Sequence, residues 1–425
     1  MSKRFAVAVV GGGPAGLAAA LAAAAAGTEV GLFAPPAVQG PGADNRTAAL
    51  FAGSIELLKN LSVWDRLEPV SAPITAIRII DDSGSLLRAP EVLFPAAEID
   101  REVFGWNVPN AALVSALTEA AATSPRIVRI ETRGIATVSA TADGVTLTSE
   151  EGETFDARLV AGADGRKSLC RAAAGIETQS WAYDQAALTT SFLHARPHHD
   201  ISTEFHRPAG PLTTVPLPGA ASSLVWVERP GEAQRLAALD ETQFRAELEA
   251  RLQGLLGTIG EIRPRSVFPL SGLSARTFGQ NRVALVGEAA HVIPPIGAQG
   301  LNLGLRDGAA LADCIADALA EGRDPGDATT LEAYTRLRRG DVASRIAAVD
   351  ILNRSLISGI LPVQFARGLG LVALKTVPAL RRQAIREGLQ PSPEIASLLA
   401  PGGLALLTHR ARSPGSRSPA RHSAA

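Results

Sequence analysis

The chain has 425 residues, with 41 Lys and Arg against 42 Asp and Glu and a formal net charge of −1. This balance produces no field that would attract nucleic acid, and a 4% aromatic content does not suit a base-stacking platform. Cys170 and Cys314 lie far apart without CxxC spacing, which predicts a reduced, cytoplasmic chain and no metal site. The length is large for one core and predicts at least two domains.

A strand–turn–helix pattern begins the chain. An apolar strand runs directly into glycines with the spacing GxGxxG, and an alanine-rich helix follows. Gly11 permits the tight turn, Gly13 lets a pyrophosphate approach the backbone, and Gly16 lets the helix pack on the strand. The order predicts a βα dinucleotide-binding turn, whose cofactor-binding residues are Gly11, Gly13, Pro14, Ala15 and Gly16.

The second predicted strand lacks the acidic residue expected at its end. Glu29 to Phe33 runs into Ala34, which occupies the ribose-binding position. The missing acceptor should cost about 1–2 kcal/mol of cofactor affinity unless water or another group replaces it.

A second turn with polar residues follows the strand that ends at Ala163. Asp164 and Gly165 form the turn, and basic and hydroxyl residues come after it. Asp164 can accept from a cofactor hydroxyl or cap the start of a helix, since Asp is common at N-caps. Both interpretations stay open for this motif.

The segment from Gly287 to Asp307 has the pattern of a loop that holds a planar ring. It interrupts regular structure at Pro294, Pro295, Gly297 and Gly300. A helical pattern begins near Leu301, so unpaired backbone N–H groups and a partial positive charge would face the ligand. Asn302 and the amides after it are the predicted donors.

The three motifs, in this order, resemble the class A flavoprotein aromatic hydroxylases, the family that includes p-hydroxybenzoate hydroxylase. The resemblance implies that the first motif binds the ADP half of FAD and that Asp164-Gly165 reaches FAD and the NAD(P)H path. It implies that Gly287-Glu288 holds the ribitol, with Glu288 in place of the family's Asp. The segment Asp44 to Leu50 resembles the flavin-proximal arginine segment, which places Arg46 at the mouth of the site; the alternative is a solvated loop arginine.

Longer stretches are similar to the ubiquinone-biosynthesis hydroxylases. They are FGWNVPNAALVSAL (Phe104 to Leu117), WAYDQAAL (Trp181 to Leu188), TEFHRPAGPLTTVPLPG (Thr203 to Gly219), SSLVWV (Ser222 to Val227) and LNRSLISGILPVQFARGLGLVAL (Leu352 to Leu374). The resemblance implies that FAD, reduced by NAD(P)H, hydroxylates the ring of a polyprenylated phenol through a C4a-hydroperoxyflavin. It further implies a ubiquinone-biosynthesis complex and a peripheral position at the inner membrane surface.

That chemistry depends on a dry pocket more than on a strong acid or base, because water converts the hydroperoxide to H2O2. The predicted flavin-facing residues are Pro294, Pro295 and Gly297, together with Arg46. No convincing substrate base occurs in the sequence, and Tyr183 and Gln185 are the predicted polar contacts. His291 is predicted to order the loop by packing.

The patterns predict an α/β chain, α+β in the substrate region, with a Rossmann-like FAD-binding domain of the p-hydroxybenzoate hydroxylase type. The predicted units are an FAD-binding domain (1–74, 98–180 and 271–340), an interleaved β-sheet substrate domain (75–97 and 181–270), a C-terminal helical region (341–408) and a disordered tail (409–425). The C-terminal helices are amphipathic and basic. They either lie on an anionic membrane surface or dock on the catalytic domains with solvated charges.

Other functions stay open at this point. A flavin enzyme of the same fold can act on a soluble phenol or reduce a prenyl chain. A noncatalytic accessory protein is a further alternative, since Ala34 and Glu288 both depart from the pattern at cofactor contacts. An NAD-dependent dehydrogenase would leave the Gly287 to Asp307 segment without a purpose.

Overall fold

The computed structural model describes residues 3–36, 44–84, 90–357, 361–389 and 396–412. The strands of these residues are Lys3–Val10 (β1), Val30–Ala34 (β2), Thr47–Phe51 (β3), Ala72–Ile74 (β4), Ala76–Asp81 (β5), Val92–Pro95 (β6), Gly105–Pro109 (β7), Ile127–Glu131 (β8), Ile135–Ala140 (β9), Val145–Ser149 (β10), Thr154–Gly162 (β11), Thr178–His194 (β12), Ile201–His206 (β13), Leu212–Leu217 (β14), Ala221–Glu228 (β15), Ile259–Ile262 (β16), Ser266–Ala275 (β17), Gly279–Gln280 (β18), Val283–Leu285 (β19) and His291–Val292 (β20).

The helices are Pro14–Ala25 (α1), Ala52–Asn60 (α2), Trp64–Leu67 (α3), Asn110–Thr123 (α4), Leu169–Ala173 (α5), Pro230–Ala238 (α6), Glu241–Leu252 (α7), Gln299–Ala320 (α8), Ala328–Ile357 (α9), Leu361–Thr376 (α10), Pro378–Leu389 (α11) and Gly403–Arg410 (α12). None of the described helices is long and apolar enough to cross a membrane.

The first sheet carries the N-terminal turn. Its strands run in the order β18-β19-β11-β1-β2-β8, with β10 and β9 attached beside β11. Strand β1 pairs in parallel with β11 and β2, and β11 pairs in parallel with β19. The near-continuous apolar run of β1 fits this position, because parallel strands are covered on both faces.

Helices α1 and α8 pack closely because small residues meet between them. A Cβ on Gly304 would lie 3.1 Å from the Cβ of Ala15, and one on Gly308 would lie 3.0 Å from the Cα of Ala19. The Gly-xxx-Gly spacing of α8 therefore matches the Ala-xxx-Ala spacing of α1, and the start of α8 is brought to the dinucleotide turn.

The second sheet has the strand order β20-β17-β12-β15-β14-β13-β5-β6, with β16 beside β12. One face is apolar and covered by α6 and α7, where Trp226 and Phe192 pack with Phe244 and Leu248. The opposite face is directed to a third sheet, whose three strands run in the order β3-β7-β4. Thr47 Oγ1 of β3 donates to Ser223 Oγ of β15 at 2.9 Å.

The predicted α/β class is confirmed, whereas the predicted domain boundaries stay a prediction. Strand β12 begins at Thr178 and β17 ends at Ala275, so both strands cross the limits predicted at 180 and 270. Helix α9 likewise crosses the limit predicted at 340. The second sheet thus takes strands from both predicted domains.

The prediction of a disordered tail from residue 409 is wrong for its first residues. His409 and Arg410 end helix α12. Arg410 donates to Asp313 at 2.8 Å and to Asp317 at 2.6 Å on α8, which fixes this helix to the first domain. Residues 413–425 lie outside the described residues.

Candidate functional site

The three motifs meet at the carboxyl ends of neighbouring parallel strands. Val10 pairs with Gly162, and Gly162 pairs with Leu285. The turns after β1, β11 and β19 therefore lie at one edge of the sheet, where ligands bind in doubly wound folds. The chain order had suggested one shared site, and the pairing register brings the three turns together.

The glycines of the first turn serve different purposes. A Cβ on Gly11, whose φ is +127°, would lie 2.2 Å from the carbonyl oxygen of Ala163, and one on Gly16 would lie 2.2 Å from the carbonyl oxygen of Gly11. A Cβ on Gly13 would lie farther than 4 Å from every described atom. The fold itself therefore requires Gly11 and Gly16, while the lack of a side chain at Gly13 leaves space for a ligand in front of α1.

Helix α1 begins with Pro14, and no described side chain caps it. Its first N–H groups and the positive end of its dipole are thus directed to the edge where the three turns meet. This is the arrangement that binds phosphate groups at helix starts.

Ala34 stands at the end of β2, where the expected acidic residue is missing, and it packs against the first turn. Ala34 is buried, and its Cβ would lie 2.8 Å from a Cβ on Gly12. In the neighbouring strand β8, Glu131 pairs in register with Ala34 and is exposed. Glu131, whose carboxylate lies 3.7 Å from Arg129 Nε, is thus an acidic residue on the strand beside Ala34, a placement that depends on strand pairing and that the linear sequence did not reveal.

Asp164 caps a helix start, as one of its two interpretations predicted. Its Oδ1 accepts from Ser168 Oγ at 2.6 Å and its Oδ2 accepts from the backbone N–H of Cys170 at 3.0 Å. Ser168 Oγ in turn accepts from the N–H of Arg171 at 2.9 Å, as the N-cap of α5. The capping interpretation is confirmed, and the cofactor contact of Asp164-Gly165 stays a prediction.

Arg171 joins two of the motifs. Its Nη1 donates to the carbonyl oxygen of Ala289 at 2.9 Å, and its Nη2 donates to that of Arg166 at 2.9 Å. The turn after β11 is therefore tied to the Gly287-Glu288 turn after β19.

Arg46 is ordered by an ion pair, although 49% of its side chain is exposed. Its Nε and Nη2 each donate to a carboxylate oxygen of Asp44 at 2.7 Å, and Asn110 Nδ2 donates to the same carboxylate at 2.9 Å. The Arg46 guanidinium lies 5.0 Å from the ring centroid of Phe268 on β17. Arg46 thus bridges the two domains at the mouth of the site.

The charges at this mouth are well defined. Burial would raise the pKa of Asp44, but the hydrogen bonds from Arg46 and Asn110 outweigh it and lower the pKa to about 2. The bond to Asp44 raises the pKa of Arg46, and the charge of Glu288 adds to this. The charge of Glu288 is thus close enough to affect Arg46, although the two residues are far apart in the sequence.

The loop after β19 has the irregular course that its prolines and glycines predicted. Pro294 is buried, whereas Pro295 and Gly297 are exposed. Gly297 has a φ of +66°, and for a Cβ on Gly297 or on Gly300 no atom of the described residues lies within 4 Å. The absent side chains therefore leave room for a ligand at the start of α8.

Helix α8 starts at Gln299, two residues before the predicted start. Its N-cap is Ala298 with a φ of +52°, and no side chain of the described residues caps it. Leu301 and Asn302 lie in its first turn, so their backbone N–H groups are directed to the predicted ligand region. This agrees with the predicted use of a helix start.

The side chain of Asn302 is a structural clamp, so only its backbone N–H is left for the predicted cofactor contact, which stays a prediction. Its Oδ1 accepts from the N–H of Phe51 at 2.9 Å and from Ser54 Oγ at 2.7 Å. Its Nδ2 donates to the carbonyl oxygens of Ala49 at 2.8 Å and Ala298 at 2.7 Å. All its strong hydrogen-bonding groups are thus used to join β3 and α2 to the start of α8.

A buried charge network lies behind the loop. Asp307 accepts from the N–H of Gly287 at 2.9 Å, pairs with His291 Nε2 at 2.7 Å and accepts from Arg338 Nε at 2.6 Å. Arg338 also donates to Asp341 at 2.8 Å. The predicted ordering role of His291 agrees with this contact. Sequence reasoning missed Arg338 and Asp341, because α9 carries many arginines and only packing shows which is buried.

The polar residues predicted for the pocket contact helix α9. Tyr183 donates to Asp350 at 2.8 Å, and burial together with that carboxylate raises the pKa of Tyr183. Gln185 Oε1 accepts from Asn353 Nδ2 at 2.8 Å. Their role toward a substrate stays a prediction.

The face of the second sheet near Arg46 is apolar. Ala187, Val227 and Leu270 form a buried cluster there, with Tyr183 and Val225 packed on it. Phe268 pairs with Ala187 and leaves 39% of its surface exposed beneath the guanidinium of Arg46. This face can hold an apolar aromatic ring beside the loop.

The residues present fit a bound flavin dinucleotide. Two helix starts without side-chain caps and three glycines whose Cβ would meet no described atom within 4 Å line one edge. By contrast, the described residues contain no group of three or more His, Cys, Asp or Glu that could hold a metal ion.

Comparisons with known proteins agree with this geometry. The model of a family described as FAD binding domain matches residues 4–348. Ubiquinone hydroxylase UbiL of Rhodospirillum rubrum is 36% identical over 386 residues, covering 90% of this chain and 89% of that protein. The 3-demethoxyubiquinol 3-hydroxylase of Escherichia coli is 31% identical over 388 residues, covering 90% and 98%.

Solved structures show the same fold. p-Nitrophenol 4-monooxygenase PnpA of Pseudomonas putida has a TM-score of 0.75 at 19% identity and covers 92% of this chain and 100% of that one. Klebsiella pneumoniae HpxO, solved with FAD and uric acid, has a TM-score of 0.72 at 18% identity and covers 92% and 98%. The predicted p-hydroxybenzoate hydroxylase type of fold is confirmed. The chain therefore belongs to the FAD-binding class A aromatic hydroxylases, next to the ubiquinone hydroxylases, and is an FAD-dependent monooxygenase.

Proposed function

We propose that this monooxygenase hydroxylates the aromatic ring of a polyprenylated phenol in ubiquinone biosynthesis, with NAD(P)H as electron donor and O2 as oxidant. The observation that carries the proposal is the similarity to two ubiquinone hydroxylases, at 36% and 31% identity, over 90% of the chain. Identity of this extent includes the substrate sheet as well as the cofactor motifs.

The substrate face supports an apolar substrate. Phe268 and Val225 border it beside the loop, and the buried cluster beneath them is formed by aliphatic side chains. A soluble phenol that carries a carboxylate would require a cation to offset its desolvation. Arg46 already shares its charge with Asp44.

FAD, when bound, supplies the activation of O2 and the transfer of one oxygen atom to the ring. The chain supplies position and dryness. The starts of α1 and α8 would hold the phosphates and the flavin ring, and the loop at Pro294 and Gly297 would shield the ring from water. Arg46, ordered by Asp44, would close the mouth on the side of Phe268.

The test begins with the visible spectrum of the purified protein. We expect flavin absorption bands. NAD(P)H oxidation is then measured with a short-chain prenylphenol, with p-hydroxybenzoate as the matched soluble phenol, and with neither, while H2O2 is monitored. The proposal predicts that only the prenylphenol stimulates oxidation and that little H2O2 forms.

Each other outcome contradicts a different part of the proposal. Stimulation by p-hydroxybenzoate alone would indicate a hydroxylase of soluble phenols. Oxidation that yields only H2O2 with every phenol would exclude ring hydroxylation of this class. A colourless protein that FAD does not reconstitute would indicate a noncatalytic accessory protein.

A further inference from the structure

The C-terminal helical hairpin formed by α10 and α11 is attached to the body by one face. Leu371 and Ile385 are buried in a cluster that includes Val92 and Phe94 of strand β6. Arg381 of α11 donates to Glu98 at 2.7 Å. The hairpin is therefore held over the edge of the second sheet.

The hairpin also exposes large apolar side chains. We call its exposed residues the hairpin surface; the apolar members are Leu369 (53% exposed) and Val372 (40%) of α10, Val377 (40%) between the helices and Leu380 (47%) of α11. Single exposed apolar residues are ordinary on proteins, but several on one helical hairpin mark an interaction site.

The charge of this segment differs from that of the chain as a whole. Residues 361–389, which span both helices, contain one acidic residue, Glu387, against five basic ones, although acidic and basic residues are nearly equal in number over the full sequence. The basic residues of this stretch are Arg367, Lys375, Arg381, Arg382 and Arg386. Lys375, Arg382 and Arg386 are exposed, and Arg381 holds the hairpin through Glu98.

We propose that the hairpin surface docks the protein on an anionic lipid bilayer. Exposed aliphatic side chains would enter the boundary between headgroups and acyl chains, while the lysine and arginines would lie among anionic headgroups. A segment with five basic residues and one acidic residue matches such a surface in charge. It does not favour a second copy of the same chain, because two basic surfaces would repel each other.

The docking inference rests on the proposed function only in one respect: docking would give the enzyme access to a prenylated substrate in the bilayer. The anchoring cluster also includes Ile77, Ile79 and Val215 of strands β5 and β14. The hairpin surface and the substrate sheet thus share one packed unit. Docking at the bilayer would bring that sheet next to the lipid.

Vesicle flotation of the full chain tests the proposal. The probes are vesicles of phosphatidylcholine alone and vesicles with phosphatidylglycerol added. We expect binding to the anionic vesicles, weaker binding at high salt, and little binding to phosphatidylcholine. Equal binding to both vesicles, or to neither, would overturn the proposal.

Variants assign the binding to the hairpin surface. The double change Leu369→Ser and Leu380→Ser should lower partition about tenfold or more. The matched control is Leu193→Ser with Leu406→Ser, two apolar residues exposed to a similar extent elsewhere, which should leave binding unchanged. Equal loss in both pairs would refute the assignment.

Charge variants give an independent measurement. Lys375→Gln and Arg382→Gln should each weaken binding to anionic vesicles roughly fivefold. Arg133→Gln and Arg263→Gln, at exposed arginines elsewhere, are the matched controls and should have much smaller effects.

Two further measurements separate the inference from its alternatives. Self-association in the absence of lipid, if abolished by the Leu369 and Leu380 changes, would show that the surface binds a second copy and would overturn membrane docking. Hydroxylation of a short-chain prenylphenol in solution should be unaffected by the hairpin variants. If the wild type binds vesicles but hydroxylates no phenol, the proposed function fails while the docking surface stands.

Discussion

The substitution Asp307→Asn tests whether the buried charge network holds the turn at Gly287. The carboxylate of Asp307 is fully buried and contacts three donors, the N–H of Gly287, His291 and Arg338. Asn has nearly the same volume as Asp, so the change removes the charge without opening a cavity. It also places a donor NH2 group among groups that themselves donate.

The magnitude follows from the burial of the partners. Removal of one partner of a buried ion pair costs about 3–5 kcal/mol. Arg338 keeps a second carboxylate, Asp341, at 2.8 Å, which favours the lower end of that range. We therefore expect the free energy of unfolding to fall by about 3 kcal/mol. Since Asn offers one acceptor oxygen to three donors, the N–H of Gly287 is held less firmly, and the dissociation constant of FAD should also rise about tenfold, which equals about 1.4 kcal/mol.

Urea denaturation followed by circular dichroism measures the first quantity, and titration of apoprotein with FAD by flavin fluorescence measures the second. The matched control is Asp324→Asn. Asp324 pairs with Arg282 at 2.9 Å but keeps 30% of its side chain exposed. Partly exposed pairs contribute little, so the control should lose less than about 1 kcal/mol and should bind FAD normally.

The dependence on pH gives a second check. Burial would raise the pKa of Asp307, but His291 and Arg338 outweigh it and lower the pKa below its ordinary value. A carboxyl with a lowered pKa stabilises the fold fully above its unfolded pKa of about 3.9, and this stabilisation is lost as pH falls through the folded pKa. The difference between wild type and Asp307→Asn should hold above about pH 5 and shrink below about pH 4.

The reasoning would be refuted if Asp307→Asn and Asp324→Asn lost equal stability, or if the difference from wild type were unchanged at low pH. If Asp307→Asn lost stability as expected but bound FAD with unaltered affinity, the claim about stability would stand and the claim about cofactor binding would fail. In that case the network would support the fold alone and would not position the cofactor turn.

Three further predictions concern the cofactor site. Gly13→Arg should abolish FAD retention, because the new side chain would fill the space in front of α1. Its circular dichroism should stay unchanged, because a Cβ at Gly13 would meet no described atom within 4 Å. Gly11→Ala should instead destabilise the fold, because its Cβ would lie 2.2 Å from the oxygen of Ala163. Retained flavin bands in Gly13→Arg would contradict this prediction. Asn302→Ala leaves buried donors and acceptors without partners and should lower the free energy of unfolding by about 2–3 kcal/mol, measured by urea denaturation; a loss below about 0.5 kcal/mol would show that water replaces the clamp. Glu131→Gln should weaken FAD binding by about 1 kcal/mol if its carboxylate accepts from the adenosine ribose. The affinity for FMN, which lacks that ribose, should not change, and equal effects on both flavins would exclude a ribose contact.

The turns and loops of the cofactor site could be predicted from the sequence, because each depends on residues that lie only a few positions apart. Gly11 and Gly16 lie where a Cβ would strike backbone, so the turn they form requires glycine in any context. The prolines and glycines between Pro294 and Gly300 likewise exclude regular structure by their own geometry. The resemblance carried by these motifs led to the correct family.

The sequence could not show how a side chain with two possible uses is employed, because only its neighbours distinguish them. Asn302 lies at a helix start, which suggested a ligand contact, and the structure shows that its side chain bonds to β3, α2 and the carbonyl oxygen of Ala298. Arg410 belongs to a polar, Pro-rich segment, yet two carboxylates of α8 hold it at the end of a helix. Neither outcome is encoded in local composition.

The sequence by itself determined which turns are predicted to bind a dinucleotide, because glycine conformation, proline geometry and helix starts act within a few residues. Only the tertiary structure decided which charged groups support those turns. Arg338 of α9 reaches Asp307 of α8 across 31 positions, and strand pairing puts Glu131 beside Ala34, where the expected acid is missing. The physical reason is that burial and partner choice depend on packing between distant elements, and these set whether a charge stabilises, clamps or binds.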